Sequence, residues 1–149
     1  MKEVAKITEK IETKDEIETI VIFIIHKTKI NKISETHLFY CIYYLYLLNK
    51  SEDRNISCLE SIIWDSFYPN PYSEFLKNKM TNSKIIKATK IADTLSGYEL
   101  IKEGFGIQIK KNYISMLVAM HEHKFFDDFF YLKEKCLKLE EKVYENENY

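Results

Sequence analysis

Turn-forming residues are scarce in this chain, which has only three glycines and two prolines in 149 residues. A β-sandwich or barrel needs many tight turns, so the shortage argues against both and favours a mostly helical domain. Cysteine is also sparse: Cys41, Cys58 and Cys136 are odd in number, widely spaced and without a Cys-x-x-Cys arrangement. That pattern points away from a disulfide framework or a zinc cluster and toward reduced, mostly buried thiols in a cytoplasmic protein. Arg54 is the only arginine and Gln108 the only glutamine. Together with heavy use of Lys, Ile, Tyr and Asn, this looks like AT-rich coding. No long hydrophobic run occurs either. The most apolar stretch, 20–25, falls far short of the roughly 20 residues a membrane helix needs. The first fifteen residues alternate Lys and Glu and show no apolar signal segment. A soluble protein with no membrane partner is expected.

What the chain does contain is apolar: 46% hydrophobic and 14% aromatic residues exclude intrinsic disorder. The length suits one domain, 1–149, burying roughly 68–70% of its unfolded surface. A first helix is expected to begin near Thr13 as its cap, with Asp15, Glu16 and Glu18 complementing the helix dipole. Ile17, Ile20, Val21, Ile24 and Ile25 form its buried stripe. Ser34 is a second cap candidate, and the segment 38–48 behind it is apolar nearly all round, as a central helix is. Residues 49–55 read as a charged loop and 56–66 as a short amphipathic element with Leu59, Ile62, Ile63 and Trp64.

Pro69 and Pro71 force an extended turn. Pro71 is expected to open a third helix over 72–81, capped by Asn70, with Phe75, Leu76 and Met80 on one face and Lys77, Lys79 and Asn82 toward water. From Ser83 the period becomes alternating. One strand is expected over 85–91, a turn over 92–97 and a second strand over 98–102, bracketed by Gly97 and Gly104. Helix, helix, helix, hairpin is the order of a winged helix-turn-helix, here a core over 13–108. Two C-terminal helices follow within 112–144, and the apolar stripe of the second offers a homodimer or partner surface.

The run Tyr68-Pro69-Asn70-Pro71-Tyr72-Ser73-Glu74-Phe75-Leu76 resembles the aromatic-glycine-proline-tyrosine-serine-glutamate segment that opens the third helix in the Panacea, or SocA-like antitoxin, family. The segment 38–47 resembles that family's second helix, and Trp64 falls where an aromatic precedes the proline turn. Gly97-Tyr98-Glu99-Leu100, with Glu103-Gly104, resembles the end of its hairpin, although PadR- and MarR-like winged-helix repressors share such endings. Asn70 stands where the family has glycine, and Asn tolerates positive φ better than most residues. The resemblance spans about residues 17–108. It implies a helical domain with a small β-wing that binds a protein partner, such as a toxin, and is not a catalyst. Trp64, Pro71, Tyr72, Ser73 and Glu74 are the residues that carry the motif.

The net charge of −1 conceals a division: −2 over 1–66, +4 over 67–112 and −3 over 113–149. The positive segment covers the third helix and hairpin, the elements that would meet DNA in a winged-helix protein. Lys77, Lys79, Lys84, Lys87 and Lys90 are candidates for phosphate contacts, and Asn78 or Asn82 for a base edge. A solvated lysine face is the alternative, and the helix lacks the arginine that most often reads guanine. His121-Glu122-His123, with Asp127 and Asp128, is the one cluster with metal-ligand chemistry. On a helix its two histidines diverge by about 200°, so a polar loop accounts for them and neither metal nor cofactor is expected. His26 and His37 read as capping or surface residues. No nucleophile elbow, phosphate loop or assisted cysteine occurs. Tyr40, Tyr43, Tyr44 and Tyr46, with Phe125, Phe126, Phe129, Phe130 and Tyr131, exceed what one small core needs, leaving some for an interface. The chain therefore reads as a non-enzymatic binding module, antitoxin-like or an adaptor, that recognises a protein. A small winged-helix DNA-binding transcriptional regulator is the alternative.

Overall fold

The computed structural model describes residues 2–5, 9–10, 15–101 and 105–147. Along the chain these form β1 (Lys2–Ala5), β2 (Glu9–Lys10), α1 (Glu16–Lys27), β3 (Lys32–Ser34), α2 (Glu35–Ser51) and α3 (Ser57–Glu60). They continue with α4 (Glu74–Thr81), β4 (Ile86–Ala92), β5 (Leu95–Leu100), β6 (Phe105–Lys110), α5 (Lys111–Glu122) and α6 (Phe129–Glu147). The fold is mostly helical with a small antiparallel hairpin, as the composition and the period change imply.

Asp15 caps α1, its Oδ1 accepting from the amides of Ile17 at 3.0 Å and Glu18 at 3.2 Å. The expected cap, Thr13, lies outside the described residues. The expected stripe of α1 is buried, and so are Thr19, Ile22 and Phe23. The reason is position: α1 packs against β6 of one sheet and β5 of the other. Ser34 caps α2 as expected, accepting from His37 N at 3.2 Å. Helix α2 is buried from His37 through Tyr43 and again at Leu45 and Leu47, with α6 packed along it. It is the central helix that its apolar circumference required.

The hairpin departs from expectation in register. β4 pairs with β5 around a turn at Asp93 and Thr94, so β5 begins at Leu95 and Gly97 lies inside it, not in the turn. β5 is also the central strand, because β3 pairs antiparallel on its other side with Ile33 opposite Tyr98. A Cβ on Gly97 would stand 2.2 Å from the Ile33 carbonyl oxygen, so glycine is there for close approach of β3. Gly104 lies outside the described residues.

Three further boundaries moved. Only Ser57–Glu60 of the element expected over 56–66 is helical; Ile56, Leu59 and Ile62 are buried while Ile63 points outward. Helix α4 starts at Glu74 with Ser73 as its cap, so Asn70 does not cap it and Pro71 precedes it, buried. Helix α6 starts at Phe129 because Asp128 Oδ1 accepts from Tyr131 N at 3.0 Å and ends the loop there. Phe125 and Phe126 are buried in that loop. A second sheet, ordered β1-β6-β2, was not expected at all. Cys41 and Cys136 are buried, Cys58 half-buried, and none is in a disulfide. Among the described residues no helix is long and apolar enough to cross a membrane.

Candidate functional site

The proline turn is a clasped loop. Tyr72 N donates to Ser66 O at 3.0 Å and Asp65 N donates to Tyr72 O at 2.9 Å, closing an antiparallel bridge across residues 66–72. Ser73 fastens the clasp twice. Its hydroxyl donates to Ile63 O at 2.6 Å and accepts from Leu76 N at 3.2 Å, which also caps α4. Asp65 Oδ2 accepts from Glu74 N at 2.7 Å, adding a carboxylate at the positive end of α4. The Tyr68–Pro69 bond inside the loop is cis. Motif residues Pro71, Tyr72, Ser73 and Glu74 are thus brought together as parts of one fastened turn.

Two phenol–carboxylate pairs flank this turn. Tyr72 donates to Glu74, and that hydrogen bond holds its phenol up at about 12. Tyr98, on β5, donates to Glu35 Oε2 at 2.5 Å, and burial followed by that bond raises its pKa far above the ordinary value. Burial likewise raises the Cys41 and Cys136 thiols. These phenols and thiols are held protonated at neutral pH, which suits donating hydrogen bonds and packing, not nucleophilic attack.

Trp64 leads to a separate aromatic cluster behind the clasp. Its ring meets Tyr43 at 5.2 Å, Tyr46 at 5.9 Å and Phe67 at 6.4 Å between centroids. Tyr43 in turn donates to Glu140 Oε2 of α6 at 2.6 Å. The indole N–H of Trp64 is buried without a hydrogen-bond partner among the described residues. Over this cluster the clasp presents apolar side chains to solvent: Tyr68 is 89% exposed, Ile63 63% and Phe67 45%. Sequence reasoning placed Trp64 correctly beside the turn but missed Ile63 and Phe67 as outward groups. The Ser73 bond to Ile63 O, which turns the chain there, has no sequence signal.

The lysines are dispersed by comparison. Lys79 is half-buried and engaged: its Nζ pairs with Asp15 Oδ2 at 2.5 Å and lies over the Phe75 ring at 5.2 Å. Lys87 pairs with Glu99 Oε1 across the hairpin at 3.5 Å. Lys84 and Lys90 are exposed and Lys77 is half-buried. Asn82 ends α4, its amide donating to Asn78 O and Met80 O. Helix α4 is thus short and carries Lys77 and Lys79 alone, and of the five candidate lysines on it and on the segment that follows, two are engaged by carboxylates.

The histidine cluster does not converge. His121 tilts over Phe126 and His123 stacks on Phe125. Among the described residues no group of three or more His, Cys, Asp or Glu side chains is placed to hold a metal ion. His37, expected at the surface or as a cap, is instead buried and bonded through Nε2 to Phe125 O. Compared with protein-family models, with curated proteins and with solved structures, the chain matches none of them.

Proposed function

We propose that this protein is a non-enzymatic, cytoplasmic binding module that recognises a protein partner, of the antitoxin or adaptor kind implied by its resemblance to the Panacea family. One observation carries the reading: Ile63, Phe67 and Tyr68 are exposed on a backbone fastened at both ends by Ser73 and the Ser66–Tyr72 bridge. Large apolar groups on a pre-ordered loop lose little conformational entropy when covered, and aromatic anchors dominate interface energetics. Asp65 and Glu74 on the clasp, with Glu140 beside Tyr43, favour a partner segment that mixes apolar and basic residues.

The test is co-expression with the product of the neighbouring gene. The full chain is expected to co-purify with that product and relieve any growth arrest it causes. Ile63→Ser with Tyr68→Ser, the two most exposed of the three, is expected to abolish both effects at unchanged Tm. Undiminished binding by that double variant would overturn the reading.

Strand order favours a second reading, a winged-helix regulator. One strand between α1 and α2, then α2, α3 and α4, then the β4–β5 hairpin, with the sheet ordered β3-β5-β4, is compatible with a winged helix whose wing is β4 and β5. Lys77, Lys84 and Lys90 have no ion-pair partner among the described residues. Duplex binding that weakens by roughly 0.9 log units per log salt for each phosphate contact would support this reading. Absence of binding at low salt removes it.

A further inference from the structure

A cleft of about 750 Å³ opens where the tip of the hairpin, the strand β3 with the turn before it, and the loop entering α6 come together. Its volume lies in the range of clefts that take one small molecule, and it stays open to solvent. Three lysines line it, Lys29, Lys32 and Lys133, and none forms an ion pair among the described residues. The one carboxylate in the lining, Asp127, is occupied by the backbone: its Oδ1 accepts from Lys29 N at 2.9 Å. The cleft also reaches the N-terminal turn of α2, a helix of 17 residues whose dipole adds positive potential there. Between the cations the walls are apolar, built from Ile91, Leu95 and Phe129. Leu95 is 43% exposed at the hairpin tip, with its apolar surface left open to the cleft.

Three lysines against one carboxylate leave the lining with an excess of positive charge, and with its apolar walls this is complementary to a ligand of opposite design. We propose that this cleft binds a small organic anion with an apolar body. The acid group lies among Lys29, Lys32 and Lys133, where it relieves their mutual repulsion. The hydrocarbon covers Ile91, Leu95 and Phe129, removing them from water. The cleft abuts the clasp loop, whose Asn70 lines it, but none of the outward Ile63, Phe67 and Tyr68 does.

Calorimetric titration of the full chain with decanoate, decyltrimethylammonium and inorganic phosphate tests the proposal. Decanoate is expected to bind one site with a Kd below about 1 mM, and the other two to bind at least about tenfold more weakly. Lys32→Gln with Lys133→Gln should weaken decanoate binding by about tenfold or more at unchanged Tm. Leu95→Ser should weaken it as well. Equal binding of the cationic detergent or of phosphate overturns the proposal, as does a decanoate affinity unchanged by the lysine substitutions. Were the double variant to unfold, amide shift changes in the unsubstituted protein decide the matter. Changes confined to 29–37, 70, 91–95 and 126–133 support the site, and changes elsewhere sink it.

Discussion

His37 and Phe125 tie the first turn of α2 to the loop between α5 and α6, through a buried hydrogen bond of 2.6 Å from His37 Nε2 to the Phe125 carbonyl oxygen. The ring also packs edge-on against Phe129 at 5.4 Å. Burial lowers the pKa of His37, while the Phe125 bond and the charges of Asp127 and Asp128 pull it upward without prevailing. The folded state thus holds a neutral imidazole.

A histidine whose folded pKa lies below its unfolded value binds fewer protons when folded, so its contribution to stability is complete above about 6.5. It is lost as pH falls from there through the folded value. Unfolding free energy measured in urea should therefore decline over that window, and His37→Gln should flatten the decline. His26 is shifted the same way by burial and by Lys27, so His26→Gln should flatten the decline as well, and the double variant more than either single one. An equal slope in His37→Gln and the unsubstituted protein would show that His37 is not responsible.

Asp15 caps α1 and holds Lys79, joining the start of one helix to the last turn of another. Burial raises its pKa, but the Lys79 bond and the Glu18 and Ile17 amides outweigh burial and leave it below 3.8. A lowered carboxyl contributes stability above its unfolded pKa, lost as pH falls through the folded one. Asp15→Ala should cost about 1 kcal/mol or more by denaturant titration. Asp15→Asn keeps a capping oxygen and loses only the ion pair, so it should cost less. The reverse order would refute the assignment of the cap as the larger effect.

Gly97→Ala should be among the most damaging single-methyl changes. The added carbon meets the Ile33 carbonyl at 2.2 Å and the Ile91 side chain at 2.7 Å, and the first of these is backbone of a paired strand. Separating β3 from β5 should cost about 2 kcal/mol or more, read as a lowered urea midpoint. A midpoint unchanged from that of the unsubstituted protein would mean that β3 yields freely.

Sequence patterning located elements better than it located their ends. The apolar circumference of α2 and the stripe of α1 were legible because burial demands them. The step from helical to alternating period at Ser83 announced the hairpin. The turn at Asp93 and Thr94 was misplaced because Gly97 was read as a turn residue, when it answers to β3, a strand more than sixty residues earlier. β1 and β2 escaped notice because Lys-Glu alternation carries no apolar signal, whereas strand pairing uses backbone groups that every residue has. β6 was passed over although Phe105, Ile107 and Ile109 alternate as strand residues do. At the candidate site, Tyr72, Ser73 and Glu74 were visible as a string. Their partners Ile63 and Asp65 were not, nor was the neighbouring Tyr98–Glu35 pair, since pairing across a fold leaves no local pattern.

The outer face of α6 bears on self-association. Phe130, Leu137 and Tyr144 recur every seven residues along α6, beside the face that buries Leu132, Cys136 and Val143, and all three are exposed, Phe130 by 80%, although Tyr144 also reaches Tyr43 of α2. A homodimer through the C-terminal helices would bury this stripe. A two-fold axis at Leu137 with antiparallel helices sets Phe130 against Tyr144 and Lys133 against Glu141, so the surface is complementary to itself. Sedimentation at tens of micromolar should then report a dimer. Leu137→Lys should yield a monomer with stability within about 0.5 kcal/mol of the unsubstituted chain, since the side chain leaves solvent only on association. A monomer at that concentration for the unsubstituted protein would rule out this pairing and leave the stripe without a second copy to cover it.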